Sequence, residues 1–488
     1  MRNLSILILA FLTINLSAQT INPNPNPSSD LDQFILSEME YENIPGMSTV
    51  VVKDGEIVWI ESYGFADIEN NIATEDSTIF LLASMSKLFT GTALMQLYET
   101  GQIDLYEDIN NYLPFPVNNP NYPSEIITFM MLMTHTSSIS DGPAMDNYYS
   151  TGDPTIELAD CMERYFSTNG IDYDPDNNFN NSFPGLEFEY SNMATALAGY
   201  LVEVISNEPF DDYCDVNLLG PMCMHNSAWH LADLDSANIA RPYSYSGGAN
   251  GAKGEFTPIP HYGFADYPNG LLRSNVQDLA KYAITFLQNG SFNGNEILSP
   301  SSVFDMLVPQ IPFIDVTQGL NWYMEEIYLS DGNSVFLWGH NGGESGVSTD
   351  LYINPLNNIG VIVLSNGEGE NLYVVDELYN YALTLSTSGV GNPSCNPLSL
   401  DQTLSISPQP LIFPNPTTDS FTISLGKTEG STTCKLFDTL GNLILTELIP
   451  PGVNEFEIDT SNLTPGFYLF STSNDNTPLH IEKITILR

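Results

Sequence analysis

The sequence predicts an α+β fold in which an antiparallel sheet flanked by helices carries a mostly helical second lobe, followed by a small all-β sandwich. Three observations carry this. Between about residues 30 and 385, strand and helix patterns mix without the alternation that a parallel βαβ sheet needs. A hairpin near the start of that stretch and three strands near its end leave edges that can pair across the chain. From residue 411 onward, short alternating segments separated by turns replace helical periods.

Taken in chain order, Arg2, the apolar run over residues 4–14 and Leu16-Ser17-Ala18-Gln19 read as a secretory signal covering residues 1–18. Its apolar centre is too short to span a bilayer. No later stretch approaches ~18 apolar residues, so the mature protein is expected to be exported without a transmembrane anchor. In the body, residues 19–385, segments 47–52 and 57–63 alternate around Asp54-Gly55, a two-residue hairpin signal. Helical periods cover 86–100 (ended by Gly101), 193–205, 276–288 and 372–385. Late strands fall at 335–338, 347–353 and 359–364, the last two joined at Asn357-Asn358. Two lobes of this kind leave a cleft between them. Residues 386–410, rich in Ser, Gly and Pro, read as a linker. Segments 421–425, 434–437, 443–448, 455–458, 467–471 and 481–487 then make a sandwich over 411–488.

A net charge of −48 excludes a nucleic-acid or anionic-membrane binder, because phosphate contacts need clustered Lys and Arg. The acid reads as a solvated, self-repelling surface. Within the body only Lys53, Lys87, Arg164, Arg241, Lys253, Arg273 and Lys281 are basic, against 50 acidic residues, a net charge of −43. Each cation there needs an explanation. The five cysteines lack metal-ligand spacing; Cys214 with Cys223 is one pairing, buried free thiols the other reading. Residues 172–183 imitate the start of a calcium loop, but Asn177 replaces its glycine and Phe183 its final glutamate. They read as a polar loop, and no metal or cofactor is expected.

Lys87 is the cation with the least structural excuse. It lies in Ser84-Met-Ser-Lys87 at a helix start, where the positive end of the dipole favours Asp or Glu. As chemistry the placement makes sense. The helix end and desolvation lower an amine's pKa, so that it can take a proton from the Ser84 hydroxyl three residues away on the same face. The helix N-terminus also directs the Ser84 N–H toward a developing oxyanion. The spacing alone is not specific: Ser424-Leu-Gly-Lys427 repeats it in the tail, where no helix follows.

Residues 46–55, 63–67 and 80–90 resemble the serine β-lactamase and penicillin-binding protein family. Within it they resemble the class C-like branch of hydrolases, DD-peptidases, D-aminopeptidases and esterases. Residues 105–114, 132–138, 268–279 and 361–366 extend the likeness over nearly the whole body. Ser138 stands where the family usually has Gly, which opens the shape of that turn. The resemblance implies a β-lactamase/transpeptidase-like fold with Ser84 as nucleophile and Lys87 with Tyr190 as the proton-transfer pair. Tyr41, Tyr267 and Tyr352 also precede an Asn by two, but only Tyr190 follows the Pro184-Gly185 turn and precedes a long apolar helix. By the same likeness, the third motif is His340-Asn341-Gly342-Gly343 rather than His261-Tyr-Gly263. The Ser84 and Gly343 N–H groups then form an oxyanion hole, Asn192, His340 and Gly342 bind substrate, and His135 is a local hydrogen-bonding residue. In the tail, Phe413-Pro-Asn-Pro416, Leu440-Gly441-Asn442, 463–468 and 483–487 resemble the C-terminal sorting domain of type IX secretion; a carbohydrate- or surface-binding module is the other reading.

The expected protein is a secreted, monomeric serine hydrolase working through an acyl-enzyme on esters or amides, D-amino-acid peptides included. Its partners are a small-molecule or cell-wall peptide substrate and the type IX secretion machinery. The alternatives are a β-lactamase or DD-carboxypeptidase, and a non-catalytic cell-wall-binding surface protein, which would have no use for Lys87. His340, with a reference pKa of ~6.5, and Asn341 replace the cation and hydroxyl that grip a substrate carboxylate. Neutral esters or uncharged amides are therefore expected over penicillins, with Arg273 the one cation that could upset this.

Overall fold

The first strand of the body pairs with its last, and this closure organises everything between. In the computed structural model, which describes residues 29–247, 254–386, 411–413, 417–418, 420–424, 432–437, 443–450, 452–453, 455–474 and 477–486, the body opens with helix α1 (Ser29–Glu42). Strands β1 (Gly46–Lys53) and β2 (Glu56–Asp67) form the expected hairpin, and β3 (Ile72–Ala73) adds an edge. Helices α2 (Ser86–Glu99), α3 (Asn192–Ser206) and α4 (Val276–Leu287) follow. The late strands are β4 (Tyr323–Tyr328), β5 (Ser334–Glu344), β6 (Val347–Asn354) and β7 (Ile359–Ser365), and α5 (Leu372–Thr384) ends the body. The sheet order is β4-β5-β6-β7-β1-β2-β3, antiparallel throughout, with β1 against β7 from Met47↔Ser365 to Lys53↔Ile359.

Strand alternation sorts the sheet's two faces. Val50, Val52, Ile362 and Leu364 pack with Leu279 and Ala283 of α4 and with the helical lobe. Val51, Val361 and Val363 face the other way, onto Leu31 and Ile35 of α1 and Val374 and Leu378 of α5. The sheet is thus covered on both sides. Helix α2 is buried nearly all round, with Lys87 among its buried residues, which matches its place at the junction of lobe and sheet.

The four helical periods and the hairpin appear where the sequence puts them. Helix α1 and strand β4 are among the elements not read from it. The stripe Leu31, Ile35, Met39 of α1 has plain i, i+4, i+8 spacing. Strand β4 hides behind Glu325 and Glu326, and only its Ile327 is buried. The Cys214–Cys223 pairing is corrected: Cys214 is a buried free thiol, as are Cys161 and Cys434, and Cys223 is disulfide-bonded elsewhere. The signal and all of the linker but its first residue lie outside the described residues, as does Lys427. Ser424 ends a strand opposite Leu411, so no helix start surrounds it. The tail strands form two sheets around Phe421, Ile423, Leu436, Phe470 and Ile484. Among the described residues, no helix is long and apolar enough to cross a membrane.

Leu364, fully buried on β7, tests the closure. Leu364→Ala is expected to lower unfolding stability by ~2–5 kcal/mol, read as a lower denaturant midpoint at unchanged slope.

Candidate functional site

Ser84 sits in a tight 3-10 turn, Ala83–Met85, immediately before α2. The turn is strained and pinned. Ala83 has φ +50°, a left-handed conformation that an L residue adopts at a cost. The Ser86 hydroxyl donates to Ala83 O at 2.7 Å and accepts from Leu272 N–H at 3.1 Å. From the sheet, Thr349 donates to Leu82 O at 2.7 Å. Gly342 lies against the same turn: a Cβ there would stand 2.2 Å from Leu82 O and 2.4 Å from Thr349 Oγ1. A side chain at 342 would push β5 off the serine.

Lys87 is fully buried, and among the described residues it has no carboxylate in contact. Its Nζ lies 3.0 Å from Ser84 Oγ, 2.7 Å from Asn192 Oδ1 and 2.8 Å from Asn269 O. Burial lowers its pKa to about 7, resisted by the charges of Asp141, Asp266 and Glu344. The partners sort the protons. Asn192 Nδ2 donates to Asp141 Oδ2 at 2.9 Å, so the amide oxygen faces Lys87. Asn192 Oδ1 and Asn269 O only accept. A neutral amine therefore donates its two hydrogens to them and turns its lone pair toward the Ser84 hydroxyl. Asn269 is held in turn by Asp266, which accepts from its Nδ2 at 2.6 Å and which burial raises to about 6.

The Tyr190 hydroxyl lies close enough to Ser84 to interact with it, and its ring centroid lies 5.0 Å from Lys87 Nζ. Although 42% of the residue is exposed, burial around the phenol oxygen raises its pKa. The phenol therefore stays protonated. Its ring leans on His135 at 4.4 Å between centroids. His135, buried and pushed well below its usual pKa, accepts the Ser191 N–H on Nδ1 at 3.2 Å. It is the local hydrogen-bonding residue expected, and it also fixes the Tyr190 ring. The Ser138 turn keeps a glycine-like shape, φ +63°, despite the serine. Asp141, which the sequence did not single out, accepts from Ser191 Oγ and from the N–H groups of Asn192 and Met193 at 2.9–3.0 Å. A carboxylate at the start of α3 is favoured by the helix dipole, and here it also aims Asn192.

β5 supplies the opposite wall. β4 ceases to pair with it at Tyr323↔Gly339, so the edge beyond is open. Asn341 N–H leaves that edge to donate to Tyr323 Oη at 3.2 Å. Alternation then puts the Gly343 N–H, two residues on, at the same edge. His340 faces the Tyr190 ring at 6.2 Å between centroids. Burial lowers its pKa to about 3, so it is neutral. Its Nδ1 bonds Asn341 O, which only accepts, so Nδ1 carries the hydrogen and Nε2 a lone pair. Arg273 does not reach the cleft: it is 2% exposed, and its guanidinium donates to Trp229 O at 2.9 Å and Tyr262 O at 2.6 Å.

Ser84, Lys87, Tyr190, Asn192, His340, Gly342 and Gly343 thus meet in one cleft between the sheet and the helical lobe. Asp141, Asn269, Asp266 and His135's stacking role were not legible. The Pro268-Asn269-Gly270 turn was visible only as part of a likeness.

Residues 31–386 match the family model described as Beta-lactamase, and residues 411–487 match the Secretion system C-terminal sorting domain. "Protein flp" of Staphylococcus aureus (strain N315) is 25% identical over 346 residues, 70% of this chain and 63% of that protein. The chain therefore spans less than two thirds of that relative's length. A protein named "Beta-lactamase" from Providencia stuartii is 22% identical over 379 residues, covering 73% of this chain and 91% of that one. The solved octameric penicillin-binding protein homologue from Pyrococcus abyssi has the same fold, with a TM-score of 0.56 at 20% identity over 94% of this chain and 96% of that one.

The Asp141 charge holds the Lys87 pKa up. Asp141→Asn is therefore expected to move the Lys87 titration below about 7, followed by NMR of labelled lysine side chains. An unchanged or higher midpoint would show that Lys87 does not feel this carboxylate.

Proposed function

Because the chain belongs to the Beta-lactamase family of serine hydrolases and carries a sorting domain that marks it for export, we propose that it is an exported acyl-enzyme hydrolase of esters or amides, delivered by the type IX machinery to the outer surface or the medium. The carrying observation is the Lys87 amine set between two pure acceptors and the Ser84 hydroxyl. Ser84 Oγ bonds to the substrate carbonyl carbon as its proton passes to Lys87 Nζ. The carbonyl oxygen takes the developing charge against the N–H groups of Ser84 and Gly343. Removing one such donor costs ~2.7–4 kcal/mol of transition-state stabilisation in comparable enzymes. Collapse breaks the bond to the leaving group, which receives a proton through Tyr190. Water then attacks the acyl-enzyme by the reverse path and returns the proton to Ser84. Asn192 and the β5 edge orient the acyl group, with Gly342 allowing the approach.

Ser84→Ala is expected to abolish covalent labelling by a fluorescent phosphonate, whereas Ser424→Ala leaves it intact. Lys87→Arg keeps the charge but cannot deprotonate, so its turnover should fall as far as that of Lys87→Ala. In the wild type, kcat/KM should rise with pH through about 7, because only the neutral amine accepts the proton. Near-normal turnover by Lys87→Arg would move the base elsewhere.

Substrates without a carboxylate suit the leaving-group side. A carboxylate gains about 1.5–3 kcal/mol from a charged donor, but His340 offers a neutral ring with a lone pair at Nε2. The wild type should therefore have a higher kcat/KM for a short-chain nitrophenyl ester than for a chromogenic cephalosporin, and His340→Lys should narrow the gap. A preference for the cephalosporin would make the protein a β-lactamase.

A further inference from the structure

Glu344 is the one acidic residue on the β5 segment that forms the cleft wall, and the proposed mechanism leaves it without a task. Strand alternation puts His340, Gly342 and Glu344 on one face. Gly342 is the residue pressed against the nucleophile turn, so His340 and Glu344 flank Ser84 along the strand, each roughly 6–7 Å from Gly342. The two ends differ. Tyr190, which protonates the leaving group, lies beside His340. The leaving group therefore points toward His340 and the acyl group toward Glu344.

The Glu344 carboxylate is held but not neutralised. Oε2 accepts from the Tyr149 hydroxyl at 2.8 Å and Oε1 from the Ser345 N–H at 2.9 Å. Among the described residues, no Lys or Arg forms an ion pair with it. Each oxygen keeps a lone-pair direction for a further donor. Its charge reaches the centre of the site, where it acts on Lys87. Tyr149 is braced by Phe264 at 5.1 Å and Tyr262 at 6.2 Å between ring centroids, and Tyr262 Oη donates to Ser345 O at 2.8 Å. A fixed carboxylate beside a half-exposed tyrosine ring is a setting that favours an ammonium, through charge and through the ring's face.

We propose that Glu344, positioned by Tyr149, is the specificity residue of this site and selects acyl groups that carry a positively charged amine, as in α-aminoacyl esters and amides. The inference rests on the hydrolase reading above. Its test compares the nitrobenzyl ester of alanine, in both enantiomers, with that of isobutyric acid, which replaces the ammonium by a methyl group of similar size. The wild type should favour one alanyl enantiomer by about tenfold or more in kcat/KM, the scale of one charge-assisted contact. Glu344→Gln should collapse that ratio toward one, Glu344→Asp should restore part of it, and 0.5 M salt should weaken it. If the Glu344–Tyr149 contact is only structural, Glu344→Gln lowers Tm and leaves the ratio intact, which overturns the proposal. Equal or better turnover of the isobutyryl ester overturns it as well. Turnover of neither ester while phosphonate still labels Ser84 overturns this inference alone. Loss of labelling too removes the hydrolase reading with it.

Discussion

The site depends on one buried amine with no counter-ion in contact among the described residues. Lys87 is closed off from solvent, yet its three partners are a hydroxyl, an amide oxygen and a backbone carbonyl. Burying an ammonium this way is unfavourable, and the favourable response is to release the proton near neutrality. The surrounding carboxylates keep that release from going further. Asp141, Asp266 and Glu344 act on Lys87 from a distance and resist the shift. A direct ion pair would have fixed the charge and removed the base. These carboxylates therefore serve two ends: Asp141 and Asp266 orient Asn192 and Asn269, and their charge holds Lys87 at a useful pKa.

The sheet supplies the rigidity such a site needs. The β1–β7 ladder closes the body, and β6 and β5 stack outward from it to the cleft. Thr349 on β6 and Gly342 on β5 then grip the Leu82-Ala83 turn from the sheet side, while Ser86 and Leu272 grip it from the lobe. The left-handed Ala83 persists because it is held from both sides. Strain of this kind lasts only where the surroundings over-determine it.

Legibility followed locality. The hairpin and the helical periods depend on short-range pattern, and each appears; the pairing of β1 with β7 joins distant residues, and only the strands themselves were local signals. Helix α1 was legible in principle through Leu31, Ile35 and Met39. Ser84 and Lys87 could be found because the amine contradicts the helix dipole, a conflict written in four residues. Asp141 could not, since its meaning comes from meeting Asn192 some 50 positions later. Glu344 looked like one acid among many; only its register with Gly342 and its contact with Tyr149 set it apart. Ser138 shows the converse: its turn keeps the left-handed form although the residue that favours it is absent.

The scarcity of basic residues now has a physical reading. Lys53 donates to Ala382 O and Leu385 O, satisfying carbonyls at the end of α5. Arg241 sits between Asp67 and Glu69, and Lys281 joins Asp278 to Cys223 O. Arg273 is consumed by carbonyls in the interior. Arg164 lies in the last turn of the helix Leu158–Phe166, where a cation suits the dipole. Each of these cations holds the scaffold together, and Lys253 lies outside the described residues. That leaves Lys87, itself near neutrality, as the basic group that touches Ser84. A molecule approaching the cleft meets the Glu344 carboxylate on the β5 wall, unpaired with Lys or Arg among the described residues, and a largely uncharged base at its centre. The field of such a surface attracts cations and repels anions, so the electrostatics of this acidic chain also act on what reaches Ser84.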